Sequence, residues 1–269
     1  DNLMLYSIIS TAGLSIFFAA ILAIADKKLR VVEDPRIEKV TRLLPGVNCG
    51  ACGFLSCNDF ATHIIKEASN PSKCRVASDE SRKQIFEIAG HAGGADNKVF
   101  PLINCSATFP QKKNSAEYVG IKKCSSANLI FGSGMDCEYG CMGFGDCVSV
   151  CPFDALHMID GLPCVTIEKC TGCGKCATVC PRKIISMVEK KFENIFFVAC
   201  SSHDSMGRTR KVCDVGCIAC GVCVKLGGNE SFFNIENNLS IADYTKQNNA
   251  EPIKVIQSKC PTKVIKIIA

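Results

Sequence analysis

The longest apolar run lies at the start of the chain, where residues 3–25 contain no charged side chain. At a rise of ~1.5 Å per residue such a run spans roughly 35 Å as a helix, enough for the ~30 Å hydrocarbon core of a bilayer. A transmembrane helix is therefore expected within residues 1–28. The competing reading is a cleaved signal peptide, with Ala23-Ile24-Ala25 resembling a cleavage site. Against it stand an acidic first residue, Asp1, and an apolar stretch longer than the usual ~7–15 residues. Lys27, Lys28 and Arg30 follow the run at once. By the positive-inside rule they place the rest of the chain on the cytoplasmic face of the cell's inner membrane, in a single-pass arrangement.

Beyond the anchor the pattern turns helical. Asp34-Pro35 reads as an N-cap with proline at the first helical position, and Ile37, Val40, Leu43 and Leu44 recur at helical spacing before Pro45-Gly46 stops them. A second helical stretch follows Cys57, with Phe60, Ile64 and Ile65 on one side, and a third runs from about Ser78 to Ala89 with Ile85, Phe86 and Ile88. The Gly-rich polar segment 91–98 reads as a linker. Short strand-like pieces then appear at 99–103, 165–167, 184–188, 195–198, 239–242 and 264–268, most of them beside cysteines. The expectation is an α+β chain of four parts. They are the anchor (1–28), a small helical four-cysteine domain (29–95), a ferredoxin-like domain (96–190) and a degenerate second ferredoxin-like region (191–269).

Composition gives this outline its chemistry. Cysteine occurs 21 times in 269 residues. In a secreted chain that abundance would suggest disulfides, but in a reducing compartment it suggests metal. The net charge of +5 is the ordinary bias of a solvated surface. With no Trp and 4 Tyr, there is no basic run interleaved with aromatics to stack bases, which argues against nucleic acid as a partner.

The run Cys170-x2-Cys173-x2-Cys176-x3-Cys180-Pro181 has the spacing of the bacterial [4Fe–4S] signature, whose fourth cysteine serves the other cluster of a pair. Upstream, Cys137-x3-Cys141-x5-Cys147-x3-Cys151-Pro152 is a stretched version of it. Crossing over assigns Cys137, Cys141, Cys147 and Cys180 to one cluster and Cys151, Cys170, Cys173 and Cys176 to its neighbour. A second unit begins at Cys217, Cys220 and Cys223, but Gly227 and the cysteine-free stretch 247–257 stand where the ligands of a partner cluster belong. One cluster, on Cys217, Cys220, Cys223 and Cys260, is expected there. Cys49, Cys52, Cys57 and Cys74 form a fourth group. Zinc is the rival reading for this fourth group; for the Cys137–Cys180 pair it is disfavoured, because four-Cys zinc sites pair two short knuckles and have no use for Cys-Pro endings.

Two looser pairs repeat one pattern, a strand ending in Cys-Ser (Cys105, Cys200) followed by a basic pair just before a second cysteine (Cys124, Cys213). The repeat suggests a fifth cluster on Cys105, Cys124, Cys200 and Cys213. Cys164 is left over and reads as a buried structural thiol. The four histidines share no motif, and there is no nucleotide or flavin fingerprint.

The anchor, the Cys49-Gly50-Ala51-Cys52-Gly53 domain and the run from Cys137 to Cys147 together resemble the B-subunit family of Rnf-type ion-translocating ferredoxin:NAD oxidoreductases, in its longer form with a C-terminal ferredoxin-like region. The resemblance implies an electron relay subunit that oxidises soluble reduced ferredoxin and passes electrons through [4Fe–4S] clusters to other subunits of a membrane redox complex. In that family transfer is coupled to NAD reduction and Na+ or H+ export. Basic residues near the ferredoxin-like part, Lys175, Arg182, Lys183, Lys190 and Lys191, are candidates for steering an acidic ferredoxin. The alternatives are a relay subunit of another membrane oxidoreductase and a membrane-tethered zinc or redox-sensing protein.

Overall fold

A computed structural model describes residues 2–29, 34–90, 99–189, 194–228, 231–246 and 250–268. The linker expected at 91–98 and the lysines 190 and 191 lie outside these residues. The N-terminal helix α1 (Asn2–Leu29) contains one stretch long and apolar enough to cross a membrane, Tyr6–Lys28, with a mean hydropathy of 2.3. Its large apolar side chains are exposed, as a helix solvated by lipid requires.

Three helices then build a small core: α2 (Pro35–Leu43), α3 (Cys57–Lys66) and α4 (Asp79–Ala89). Each starts where a side chain accepts from an otherwise orphaned N–H: Asp34 from Arg36 N, Ser56 from Asp59 N and Ser78 from Ser81 N. Gly90, in the left-handed conformation, ends α4. Ile37, Val40, Phe60, Ala61, Ile64 and Ile85 pack together as the helical spacing predicts, and buried Cys74 lies against them.

Residues 99–268 form two halves on the same plan. In the first, strand β1 (Val99–Ile103) pairs antiparallel with β4 (Ile185–Glu189), in register from Val99↔Glu189 to Ile103↔Ile185. Between them lie helices α5 (Cys124–Leu129), α6 (Asp146–Ser149) and α7 (Lys175–Val179), and a hairpin of β2 (Leu156–Ile159) and β3 (Leu162–Val165). In the second, β5 (Ile195–Val198) pairs with β8 (Ile265–Ile268). It encloses α8 (Met206–Val212), α9 (Val222–Gly227), the hairpin β6 (Phe233–Glu236) and β7 (Leu239–Ala242), and α10 (Ala250–Lys259). The strand expected at 165–167 is instead the end of β3, because Leu156–Ile159, too short and mixed to stand out as a strand in sequence, supplies a hairpin partner.

The halves differ at one place. Where the first carries Cys170, Cys173 and Cys176 around α7, the second has α10, whose Ile253 and Ile256 pack against Phe196, Phe233, Val264 and Ile265. Apolar side chains thus stand at the place in the element order where the other half carries cysteines. Ile256→Ala is therefore expected to cost about 2–5 kcal/mol of stability, as for other buried Ile truncations. Chemical unfolding of the whole chain checks this.

Candidate metal centres

The cysteines gather at hollows. Cys49, Cys52, Cys57 and Cys74 line one in the N-terminal domain, and Cys217, Cys220, Cys223 and Cys260 line one in the second half. These are the groupings expected from spacing. Burial, and after it the nearby Cys173 and Cys170 thiols, raise the pKa of Cys176, which brings three of the fourth expected set together, while Cys151 packs in an apolar cluster shared by Cys176 and by Cys105, Cys141, Cys147 and Cys180.

The remaining two groups differ from the sequence reading by an exchange. One hollow is lined by Cys124, Cys141, Cys147 and Cys180, and another by Cys105, Cys137, Cys200 and Cys213. Cys124 and Cys137 have thus changed places. The reason is visible in the backbone. Gly145, Gly174 and Gly221 each cap a short helix in the left-handed conformation, at φ 79°, 77° and 76°, a geometry that glycine adopts without strain. Each follows the middle position of a Cys-x2-Cys-x2-Cys run, which is Cys173 and Cys220 in two loops but Phe144 in the third. The third loop lacks its middle thiol, and Cys124 supplies one from α5. Cys164, expected to be buried, is exposed on β3, the only exposed cysteine of the 21. Its strand belongs to a two-stranded hairpin, and Cys164 points to the side that stays open to solvent.

Two residues that sequence reasoning did not single out for these roles hold the exchanged pair. The Asp146 carboxylate accepts from the N–H groups of Cys124 and Ser125 at 2.9 and 3.0 Å, anchoring α5 to the loop. Burial acts to raise its pKa, but those N–H groups and Lys123 hold it below the usual value. Arg182, a steering charge by its sequence context, points its guanidinium inward instead and donates to the carbonyls of Cys137 (2.7 Å), Gly140 (3.0 Å) and Gly132 (3.3 Å). The thiols of Cys137 and Cys141, one in each of the two hollows, are close enough to act on its charge.

The sites fit clusters better than single ions. Thiols spread around a void suit a cuboid of iron and sulfide, whereas zinc draws its sulfurs to ~2.3 Å from one point. The hydroxyls of Ser106 and Thr171, each next in sequence to a cysteine of these groups, are buried without a hydrogen-bond partner among the described residues. Such donors are what cluster sulfurs accept from. Burial pushes the Cys141, Cys147 and Cys200 thiols up to about 12 and Cys176 to about 11. Iron must therefore displace protons from these thiols, and loading strengthens as pH rises.

A helical four-cysteine module followed by ferredoxin-like halves defines a multi-centre iron–sulfur protein. Two family models match, one described as "Putative Fe-S cluster" over residues 44–76 and one as "4Fe-4S binding domain" over residues 163–186. The chain is 36% identical over 84% of its length to the B-type subunit of an ion-translocating oxidoreductase complex of Methanosarcina acetivorans, covering 85% of that protein. It is 38% identical over 90% of its length to the corresponding subunit of a Na+-translocating ferredoxin:NAD+ oxidoreductase complex of Acetobacterium woodii, covering 74%. The proton-translocating counterpart from Clostridium ljungdahlii is 31% identical over 99% of this chain and 93% of its own. The chain belongs to this B-subunit family.

Asp146→Ala leaves two N–H donors of α5 without their acceptor, a loss of about 1–3 kcal/mol. The contribution is fully present above the ordinary Asp pKa and disappears as pH falls through the lowered one. Iron analysis of the purified variant should show the loss concentrated at the site of Cys124, Cys141, Cys147 and Cys180, with the other sites retained.

Proposed function

We propose that the chain is the electron relay of an ion-translocating ferredoxin:NAD oxidoreductase complex, taking single electrons from reduced ferredoxin on the cytoplasmic side and delivering them to membrane subunits. The observation that carries this reading is the gathering of cysteines, four at a time, around separate hollows in a chain of this family. Four [4Fe–4S] clusters would rest on Cys49, Cys52, Cys57 and Cys74; on Cys124, Cys141, Cys147 and Cys180; on Cys151, Cys170, Cys173 and Cys176; and on Cys217, Cys220, Cys223 and Cys260. When bound, such clusters supply reversible one-electron chemistry. The chain's own residues fix the spacing of the clusters and tune their potentials through N–H and O–H groups aimed at sulfur.

Lys27 and Lys28 at the end of α1 support the cytoplasmic placement of the cysteine domains. The four-cysteine domain, next in sequence to the anchor, would be the outlet toward the membrane. The donor would meet the ferredoxin-like halves. There a groove is lined by Tyr139, Arg182, Lys183, Cys200 and His203 among others, with no carboxylate among its lining residues. Lys183 is exposed, Lys175 is half-exposed and Arg182 is turned inward, so of the groove's two cations Lys183 is the one available to steer an acidic ferredoxin.

Mixing the full chain anaerobically with reduced ferredoxin should bleach the visible absorption of its clusters. Lys183→Glu should slow that reaction by about two- to fivefold at low salt and little at high salt, since exposed charges act within a Debye length. The iron content should not change. Failure of reduced ferredoxin to transfer electrons, or stoichiometric zinc in place of sulfide, would overturn the reading.

A further inference from the structure

We propose that Cys105, Cys137, Cys200 and Cys213 hold a further [4Fe–4S] cluster on the seam between the two halves, joining the C-terminal site to the ferredoxin pair. The proposal rests on the relay reading above and adds to it a ligand set drawn equally from both halves. Neither family match, at 44–76 and 163–186, includes any of these four residues.

The two halves place these four cysteines by one internal symmetry. Cys105 and Cys200 each stand two residues beyond the last residue of the strand that opens their half, β1 and β5. The residues just before them are held alike, Asn104 N donating to Ile184 O at 2.8 Å and Ala199 N to Val264 O at 2.9 Å. Cys137 and Cys213 each stand four residues before the first cysteine of the following motif, Cys141 and Cys217. The sulfurs are addressed alike as well. Cys141 N donates to Cys105 Sγ at 3.4 Å, and Cys217 N donates to Cys200 Sγ at 3.3 Å. Two pairs of equivalent thiols thus face one hollow across the seam. The halves are stitched together beside it by Ser201 Oγ donating to Asn104 O at 3.0 Å and by the bridge between Lys112 and Cys213.

The hollow has the form of the other sites. Like the hollows of the other groups, it is lined by four cysteine side chains. The unpartnered Ser106 hydroxyl sits beside it. Arg182, half-buried and bonded to the Cys137 carbonyl, brings one positive charge to a site with four thiolates.

Position gives the site its consequence. The two N–H to sulfur contacts link it to a ligand residue of the Cys124 site on one side and of the Cys217 site on the other. A cluster here would stand between the C-terminal centre and the ferredoxin pair, dividing one long electron step into two shorter ones.

Iron and acid-labile sulfide should be measured on the full anaerobic chain, with circular dichroism to confirm folding of each variant. The unaltered chain should carry about 20 of each for five cubane clusters. Paired substitutions identify the ligands. Cys105→Ala with Cys137→Ala should remove about four iron, Cys124→Ala with Cys141→Ala about four, and Cys105→Ala with Cys124→Ala about eight, since a cubane holds four iron. The converse pattern, about eight for Cys124 with Cys141 and about four for Cys105 with Cys124, would overturn this ligand set. A count of about 16 in the unaltered chain, with its reduction by ferredoxin intact, would overturn the fifth cluster alone and leave the relay standing. Should the variants misfold, the count and a spectroscopic redox titration of the unaltered chain still decide the number of centres.

Discussion

Four thiolates must surround each cluster, and that demand governs where the backbone of residues 99–268 runs. Strands are four or five residues long, sheets have two strands, and the helices α6, α7 and α9 last little more than a turn. Elements this short bury too little apolar surface to hold themselves together. The exception is informative. In the second half one site's worth of cysteines is missing, and there α10, with Ile253 and Ile256, forms the largest apolar cluster among the described residues together with Phe196, Phe232 and Phe233. Where inorganic ligation is withdrawn, hydrophobic burial takes over the same role.

Much of this was legible in the residues. The Asp34-Pro35 cap and the apolar spacing after it, after Cys57 and after Ser78 placed the starts of three helices to within a residue or two, and five of the six strand-like pieces are strands. The contiguous Cys-x2-Cys-x2-Cys runs also gather as their spacing implies, because those thiols come from one loop whose geometry is local. The exchange of Cys124 and Cys137 is a tertiary matter. The basic pairs Lys122-Lys123 and Arg210-Lys211 look like a repeat, but the one the structure bears is the four-residue step from Cys137 to Cys141 and from Cys213 to Cys217. Phe144-Gly145, set beside Cys173-Gly174 and Cys220-Gly221, was the signal available in the sequence. It marks the loop whose middle thiol must come from elsewhere.

Arg182 illustrates a second limit. Following Cys180-Pro181 in a basic stretch, it reads as surface charge, yet three carbonyls of the 132–140 loop receive its guanidinium. An arginine's rigid fork of donors suits several carbonyls approached from one side chain. A charge placed there also acts on the sulfurs of two neighbouring hollows, so one residue serves both the loop's conformation and the local field.

The exposed position of Cys164 has a practical side. With the five proposed clusters in place it would be the single thiol open to an alkylating reagent. The number of labelled cysteines would then report the integrity of the molecule, from one in the intact chain upward by fours as centres are lost to air.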